Sequence, residues 1–547
     1  MKVRLTTLLL TVAAVVSSGT LVCQAQPQLL MTRHVREAVV NGQAQWIGRL
    51  PASQTVRFDV VLALRHEAEL DNFLEELYDA TSPNYRQFVT VKEFTERFGP
   101  SQEDYDALIR FAAANGLKVV AGSRDAMDVQ LEGTVAAVEK AFHVTMNMYQ
   151  HPTENRAFFA PDREPTMDLP FQLWHVTGLD NYSRPRPMLS HRNSTVHSDV
   201  KGSCPANSYC GSDMRAAYYG GTALTGAGQT AGLMEYFGYN LADLKNYFSK
   251  VKQTNNVPIY GISTDGSSLS CSVSNQDLDN CDTEQILDMV QVISMAPGLK
   301  GLYVYNNNNE SDTAILADMS THKPLSRQLS SSWSWSPPDP KSDDPYFKKF
   351  AAQGQSFFQA AGDSGEWNSG NVDYPADDPY VIAVGGTDLK TVKAGGAWAS
   401  ETAWSDGGGG ISPDHFAIPS WQTATASGCS SCSKTYRNGP DVSAEANFDF
   451  YVCSNHSCEN GWGGTSFAAP MWSGYLALVN QQAATNHKQP AGFINPAIYS
   501  LGLSEGYTAA FHDITKGNNG EPATKGYDLA TGWGSPNGSG LINALAP

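Results

Sequence analysis

Positive charge is scarce in this 547-residue chain: 37 lysines and arginines stand against 55 aspartates and glutamates, a formal charge of −18. A carboxylate surplus repels polyanions, so no nucleic acid or anionic membrane is expected as a partner. Long apolar runs are also lacking past the first 25 residues, and no later stretch reaches the roughly 20 needed to cross a bilayer. Cysteines are few and confined. Of nine, all but Cys23 lie between Cys204 and Cys458.

The first residues do carry an apolar run. Lys2 and Arg4, then Leu8 to Val16, then small residues before Ala25 make a secretory signal peptide over 1–25. Val22 is bulkier than the small residue that precedes a lipidated cysteine, which argues against a lipid anchor at Cys23. A secreted, extracellular location is expected, and export favours disulfides among the remaining cysteines. The short spacings of Cys204/Cys210, Cys271/Cys281, Cys429/Cys432 and Cys453/Cys458 suggest local pairing, with zinc as a weaker rival at Cys429 and Cys432.

Two large units follow, residues 26–181 and 204–547. In the first, a strand over Thr55 to Arg65 and helices over Glu67 to Asp79 and from Ser101 to Asn115 precede strands near Leu117 to Val120 and Met127 to Leu131. A Thr134-capped helix and a last strand over Val144 to Tyr149 complete an α+β, ferredoxin-like pattern. Residues 182–203, rich in proline, arginine and serine without periodicity, read as an exposed, cleavable linker. From Thr230 to Ala361 strands and helices alternate, the signature of a doubly wound parallel sheet with its site at the carboxyl ends of the strands. Folded unit, cleavable linker and second unit together suggest a zymogen.

The chemistry is best placed at Gly461-Trp-Gly-Gly-Thr-Ser466, a glycine turn that delivers the Ser466 hydroxyl to the start of an apolar helix. Glu284 and Asp288, four apart on one expected helix, share a face, where like charges repel unless a proton is shared. Glu235 ends the first strand of the second unit, and Asp363 follows the run ending at Ala361. Histidine would be the usual base for a serine nucleophile. After residue 204 only His322, His415, His456, His487 and His512 occur, none in a His-Gly-Thr context. A carboxylate base, with an ordinary pKa near ~4.3, would work in acid, where a histidine near ~6.5 is protonated.

With Glu284-x-x-x-Asp288, Ser332-Trp333, Gly362-Asp-Ser-Gly365, Gly464-Thr-Ser466 with Pro470, and the tail from Asp513 to Gly532, the chain resembles the sedolisins, serine-carboxyl peptidases. Thr81-Ser-Pro-Asn-Tyr85, Phe98-Gly-Pro-Ser101 and Val138 to His143 resemble a pro-kumamolisin-type activation domain. The resemblance implies a subtilisin-like α/β catalytic domain and a serine-type endopeptidase acting in acid. It makes Ser466 the nucleophile, Glu284 the general base and Asp288 its orienting partner. Asp363, protonated, would donate to the oxyanion, and Glu235 and Trp333 would extend the hydrogen-bond network. It further implies one structural Ca2+ on the carboxylates of Asp513 and Asp528 and the carbonyls of Ile514, Thr524 and Gly526, although Thr524 replaces the family's usual glycine, as Gly463 replaces a serine. Expected partners are protein or peptide substrates and the chain's own propeptide, acting on a monomer. The alternative is a catalytically inactive secreted binding protein of the same fold.

Overall fold

Thr55–Leu62 (β1) buries Val56 and then every residue from Phe58 to Leu62. In the computed structural model, which describes residues 28–29, 34–192, 200–271, 282–335, 342–367 and 374–546, this strand is followed by helices Glu67–Tyr78 (α1) and Gln102–Ala114 (α2). The Ser101 hydroxyl caps α2, accepting from the Asp104 N–H at 3.0 Å. Gly116, with φ of 72°, turns the chain into Lys118–Ser123 (β2). Asp128–Thr134 (β3) leads into Val135–Phe142 (α3), capped by Thr134, and Leu173–Thr177 (β4) closes the unit.

The sheet order is β2-β3-β1-β4, antiparallel throughout. With its helical crossovers this is the ferredoxin-like arrangement. One expectation changes: the strand near Val144 to Tyr149 is Met146–Gln150, and it pairs with Gln45–Arg49 and Ala157–Pro161 in a separate three-stranded sheet. Alternation sets which side chains share a strand's face, not which strand becomes its neighbour.

In the second unit, Thr230–Tyr236 (β5), Leu241–Lys250 (α4), Ile259–Ser263 (β6), Thr283–Met295 (α5), Gly301–Asn307 (β7), Asp312–Met319 (α6), Gln328–Ser331 (β8), Asp344–Ala352 (α7) and Ser356–Ala360 (β9) follow one another as the alternation implies. Ile382–Thr391 (β10), Trp398–Ala403 (β11) and Val442–Glu445 (β12) enlarge the sheet. Its order is β6-β7-β5-β8-β9-β10-β11, with β12 also on β10, and the pairs are parallel apart from β10 with β11. Strands β8, β9 and β12 are buried along their whole length, as a sheet covered on both faces requires. Ala468–Thr485 (α8) packs against α5, β8 and β9, so Pro470 falls in its first turn and breaks no internal hydrogen bond.

The two units touch directly. Tyr78 donates its hydroxyl to the Ala351 carbonyl at 2.6 Å, Trp174 Nε1 donates to the Ser342 carbonyl at 3.1 Å, and Ser311 Oγ donates to Asp59. Of the expected linker 182–203, residues 193–199 lie outside the described residues, and the part before them is not simply exposed. Arg186–Pro187 pairs antiparallel with Trp333–Ser334, and Ser190–His191 pairs antiparallel with Trp462–Gly463. Proline and arginine weaken local structure, yet they leave the backbone free to add a strand to another segment.

Disulfides join Cys204 to Cys210, Cys429 to Cys432 and Cys453 to Cys458. The expected Cys271/Cys281 pair involves Cys281, which lies outside the described residues, as does the expected signal peptide. Among the described residues no helix is long and apolar enough to cross a membrane.

Candidate active site

Gly464, with φ of 146°, sets up a single 3-10 turn, Thr465–Phe467, immediately before α8. Ser466 is fully buried in that turn. Glu284 and Asp288 lie one helical turn apart on α5, a helix buried on every side, so their carboxyls cannot reach water as a surface pair would. Glu235 stands at the end of β5, between the parallel neighbours β7 and β8. Asp363 follows β9. Glu235 and Asp363 thus leave the carboxyl edge of the main sheet, whereas Ser466 follows Ser457–Gly463, a strand of a separate three-stranded sheet.

Hydrogen bonds tie the group together. Trp333 Nε1 donates to Glu235 Oε2 at 2.9 Å, and Ser332 Oγ donates to Asp288 Oδ1 at 2.9 Å. Asp363 Oδ1 accepts from the Thr465 N–H at 2.8 Å and from its hydroxyl at 2.9 Å, while that hydroxyl accepts from the Gly362 N–H at 3.1 Å. The Ser466 hydroxyl and the Glu284 carboxyl form no complete hydrogen bond. They are nevertheless close enough for the hydroxyl to favour the ionised glutamate.

Burial dominates the electrostatics. It raises the Glu284 pKa well above the ordinary value, opposed by the Ser466 hydroxyl and reinforced by the charges of Glu235 and Asp363. Asp288 is likewise raised, first by burial, then by Glu235 and Glu284, with Ser332 pulling the other way. Glu235 is pushed up to about 8 by burial against hydrogen bonds from Trp333 and Asp288. Three carboxyls in one dry cluster cannot all ionise, so protons stay shared among them above the pH at which free carboxyls lose theirs. The six expected residues, Ser466, Glu284, Asp288, Asp363, Glu235 and Trp333, thus form one connected group. Ser332 and Thr465, which anchor two of its carboxyls, sit inside short motifs whose spacing alone gives no hint of those contacts.

The tail brings its two aspartates onto one loop. Asp513 Oδ1 accepts from the Gly526 N–H at 3.0 Å and the Tyr507 hydroxyl at 2.9 Å, and Asp528 Oδ2 accepts from the Thr524 N–H at 2.7 Å. Ile514, Thr524 and Gly526 thus lie on the segments that carry both carboxylates. Among the described residues no group of three or more His, Cys, Asp or Glu side chains could hold a metal, so an ion here would draw on backbone oxygens for most of its shell. An all-oxygen donor set fits a hard cation such as Ca2+.

Comparison with known proteins gives the family. Residues 43–181 match the family model "Pro-kumamolisin, activation domain", and residues 240–533 match "Subtilase family". Kumamolisin from Bacillus sp. is 30% identical over 535 residues, covering 91% of this chain and 93% of that one. The chain belongs to the sedolisin family. Sedolisin from Pseudomonas sp. is 27% identical over 90% of this chain and 86% of its own length. The solved structure of Pseudomonas sedolisin, a serine-carboxyl proteinase complexed with two molecules of pseudo-iodotyrostatin, superposes with a TM-score of 0.53 at 27% identity, over 63% of this chain and 98% of that one. This sedolisin-family chain is a serine peptidase with a subtilisin-like catalytic fold and an intramolecular activation domain.

Proposed function

We propose that the protein is a secreted endopeptidase, active in acid and made as a zymogen, that cuts peptide bonds through an acyl-enzyme on Ser466. Glu284 takes the Ser466 proton and returns it to the leaving amine, and Asp288 orients Glu284 and tunes its charge. Asp363, carrying a proton, donates to the oxyanion beside the Ser466 N–H. The observation that carries this reading is the buried cluster in which carboxyls rather than a histidine stand against the hydroxyl. Such a cluster retains protons in acid and has one available to donate. The decisive experiment incubates the precursor with a denatured protein across a pH series and identifies fragments by mass. Wild type should cut in acid, and Ser466→Ala should neither cut nor process itself while staying folded.

The carbonyls and carboxylates around Asp513 and Asp528 support one structural Ca2+, well removed in the chain from Ser466. The apolar leader at 1–25 supports export. Residues 26–181 act as inhibitor and folding aid for 204–547, and a monomer is the working unit.

A further inference from the structure

On the leaving side of Ser466 the catalytic unit carries two matched pairs, each an aromatic ring with a carboxylate beside it. Residues 188–192 lie over them as a bound peptide would. The Met188 carbonyl accepts from the Ser466 N–H at 3.2 Å, Ser190 and His191 pair antiparallel with Gly463 and Trp462, and the Arg192 N–H donates to the Gly461 carbonyl at 2.9 Å. With that Met188 carbonyl standing in for the one attacked in a substrate, His191 and Arg192 stand third and fourth beyond the bond. The His191 ring lies 4.5 Å from the Trp462 ring at a tilt of 33°, and its Nε2 donates to the Asn460 carbonyl at 3.1 Å and sits 3.8 Å from Glu459. The Arg192 guanidinium lies 3.8 Å from the centre of the Phe448 ring and pairs with Asp406 at 2.7 Å.

Both pairs belong to the framework of the catalytic unit. Phe448 is buried, packed edge-on against Trp404 with ring centres 5.7 Å apart, and the Ser405 hydroxyl donates to the other Asp406 oxygen at 2.9 Å. Trp462 stands on Ser457–Gly463, which pairs antiparallel with Phe450–Ser454 and is tied to it by the Cys453–Cys458 disulfide. Gly461 leaves room for the peptide backbone, since a Cβ there would lie 2.4 Å from the Arg192 carbonyl oxygen. Groups already held in place spend little binding energy on being ordered.

We propose that the mature enzyme selects peptides with basic side chains third and fourth beyond the bond it cuts, the third held by Trp462 and Glu459 and the fourth by Phe448 and Asp406. The proposal rests on Ser466 being the nucleophile and holds whichever bond is cut during maturation. A cation over a ring and a partly exposed ion pair each contribute a few-fold, so the fourth site should favour arginine over glutamine by roughly tenfold. Arginine should also exceed lysine, because a planar guanidinium can lie on the ring and meet the carboxylate at once. These contacts are remote from the reacting atoms and are the same in ground and transition states, so the preference should appear in KM.

The test digests denatured proteins with matured wild-type enzyme in acid, maps every cut by mass, and then compares matched peptides that differ only four residues beyond the cut. Histidine, lysine and arginine should be enriched at the third and fourth positions, and arginine should lower KM roughly tenfold against glutamine with kcat nearly unchanged. Asp406→Asn should weaken the fourth-position preference several-fold and leave the third intact, and Glu459→Gln should do the reverse. Phe448→Leu, which keeps an apolar side chain against Trp404, should narrow the gap between arginine and lysine. Either position without a basic bias, a bias unchanged in these variants, or an effect confined to kcat would overturn the inference. Cutting that persists in Ser466→Ala would instead sink the nucleophile assignment beneath it.

Discussion

The Ser332 hydroxyl donates to Asp288 Oδ1 at 2.9 Å, while the carbonyl of the same residue accepts the Met188 N–H. One residue thus holds the carboxyl network and the peptide backbone in register. Ser332→Ala keeps the carbonyl and deletes the hydroxyl. A hydrogen bond to a charged group contributes about 1.5–3 kcal/mol, so kcat should fall roughly 10- to 100-fold with KM nearly unchanged. Because that bond lowers the Asp288 pKa, its loss should also move the acid limb of the rate profile to higher pH. A KM effect with kcat intact would refute this division of roles.

Glu235 makes a prediction about stability. Its carboxyl titrates near 4.5 when unfolded and is pushed up to about 8 in the fold. Between those values the native state holds a proton that the unfolded chain does not. Its favourable contribution is therefore complete below about 4.5 and lost as pH rises through 8. In a Ser466→Ala background, which prevents self-digestion, Glu235→Gln should flatten the decline in melting temperature between pH 5 and 8, on the order of a few kcal/mol at the upper end. An unchanged slope would show that Glu284 and Asp288 carry the whole effect.

Much of this site was legible because its motifs are local. Glu284 and Asp288 need only a helix to share a face, and Gly464 with Ser466 needs only a turn before a helix. The alternation from Thr230 to Ala360 likewise announces a parallel sheet whose loops gather at one edge. Strand partners were less accessible, since Met146–Gln150 has the alternation of a main-sheet strand but pairs elsewhere. The segment from Arg186 to Arg192 was hardest to read. Its pairing is supplied by Trp333, Ser334, Trp462 and Gly463, which lie more than a hundred residues away, and its own composition signals only a weak local preference. Ser332 and Thr465 are small hydroxyl residues whose contacts depend on that same long-range assembly.

Asp59 shows that acid does not loosen every contact between the two units. Its carboxylate accepts from Ser311 and Thr313, and burial lifts its pKa to about 6, opposed by the Ser311 hydroxyl and Arg57. Exposed in a released prodomain, it would titrate near its ordinary 3.8. Docking therefore takes up a proton between these values, and the contribution is full below about 3.8 and lost as pH rises through 6. Asp128, raised in the same way beside it, adds to the trend. Asp59→Asn in the Ser466→Ala precursor should strengthen docking at pH 7 by about 1–3 kcal/mol and change it little at pH 4. Hydrogen exchange of β1 and α6 would read this, and weaker protection at pH 7 would contradict it. Release in acid would then depend on cutting the linker rather than on titrating this contact.

Calcium should act on the fold rather than on the bond being cut. The pair Asp513 and Asp528 lies on a loop bounded by Tyr507 and Thr531, and Asp528 is nearly buried, so an ion there would neutralise two carboxylates that the native fold brings together. A ligand bound only by the native state at about 100 times its Kd stabilises by about 2.7 kcal/mol, worth roughly 4 °C in a unit of about 340 residues. Chelation of the Ser466→Ala precursor should therefore lower the melting temperature by that amount, and added Ca2+ should restore it. Asp513→Asn should melt at the chelated temperature and ignore added Ca2+. In matured wild-type enzyme at a temperature well below either melt, brief chelation should leave kcat and KM alone. Immediate loss of kcat with the fold intact would place the ion in the chemistry, and a melt insensitive to chelator in protein shown to be metal-free beforehand would remove it from this loop.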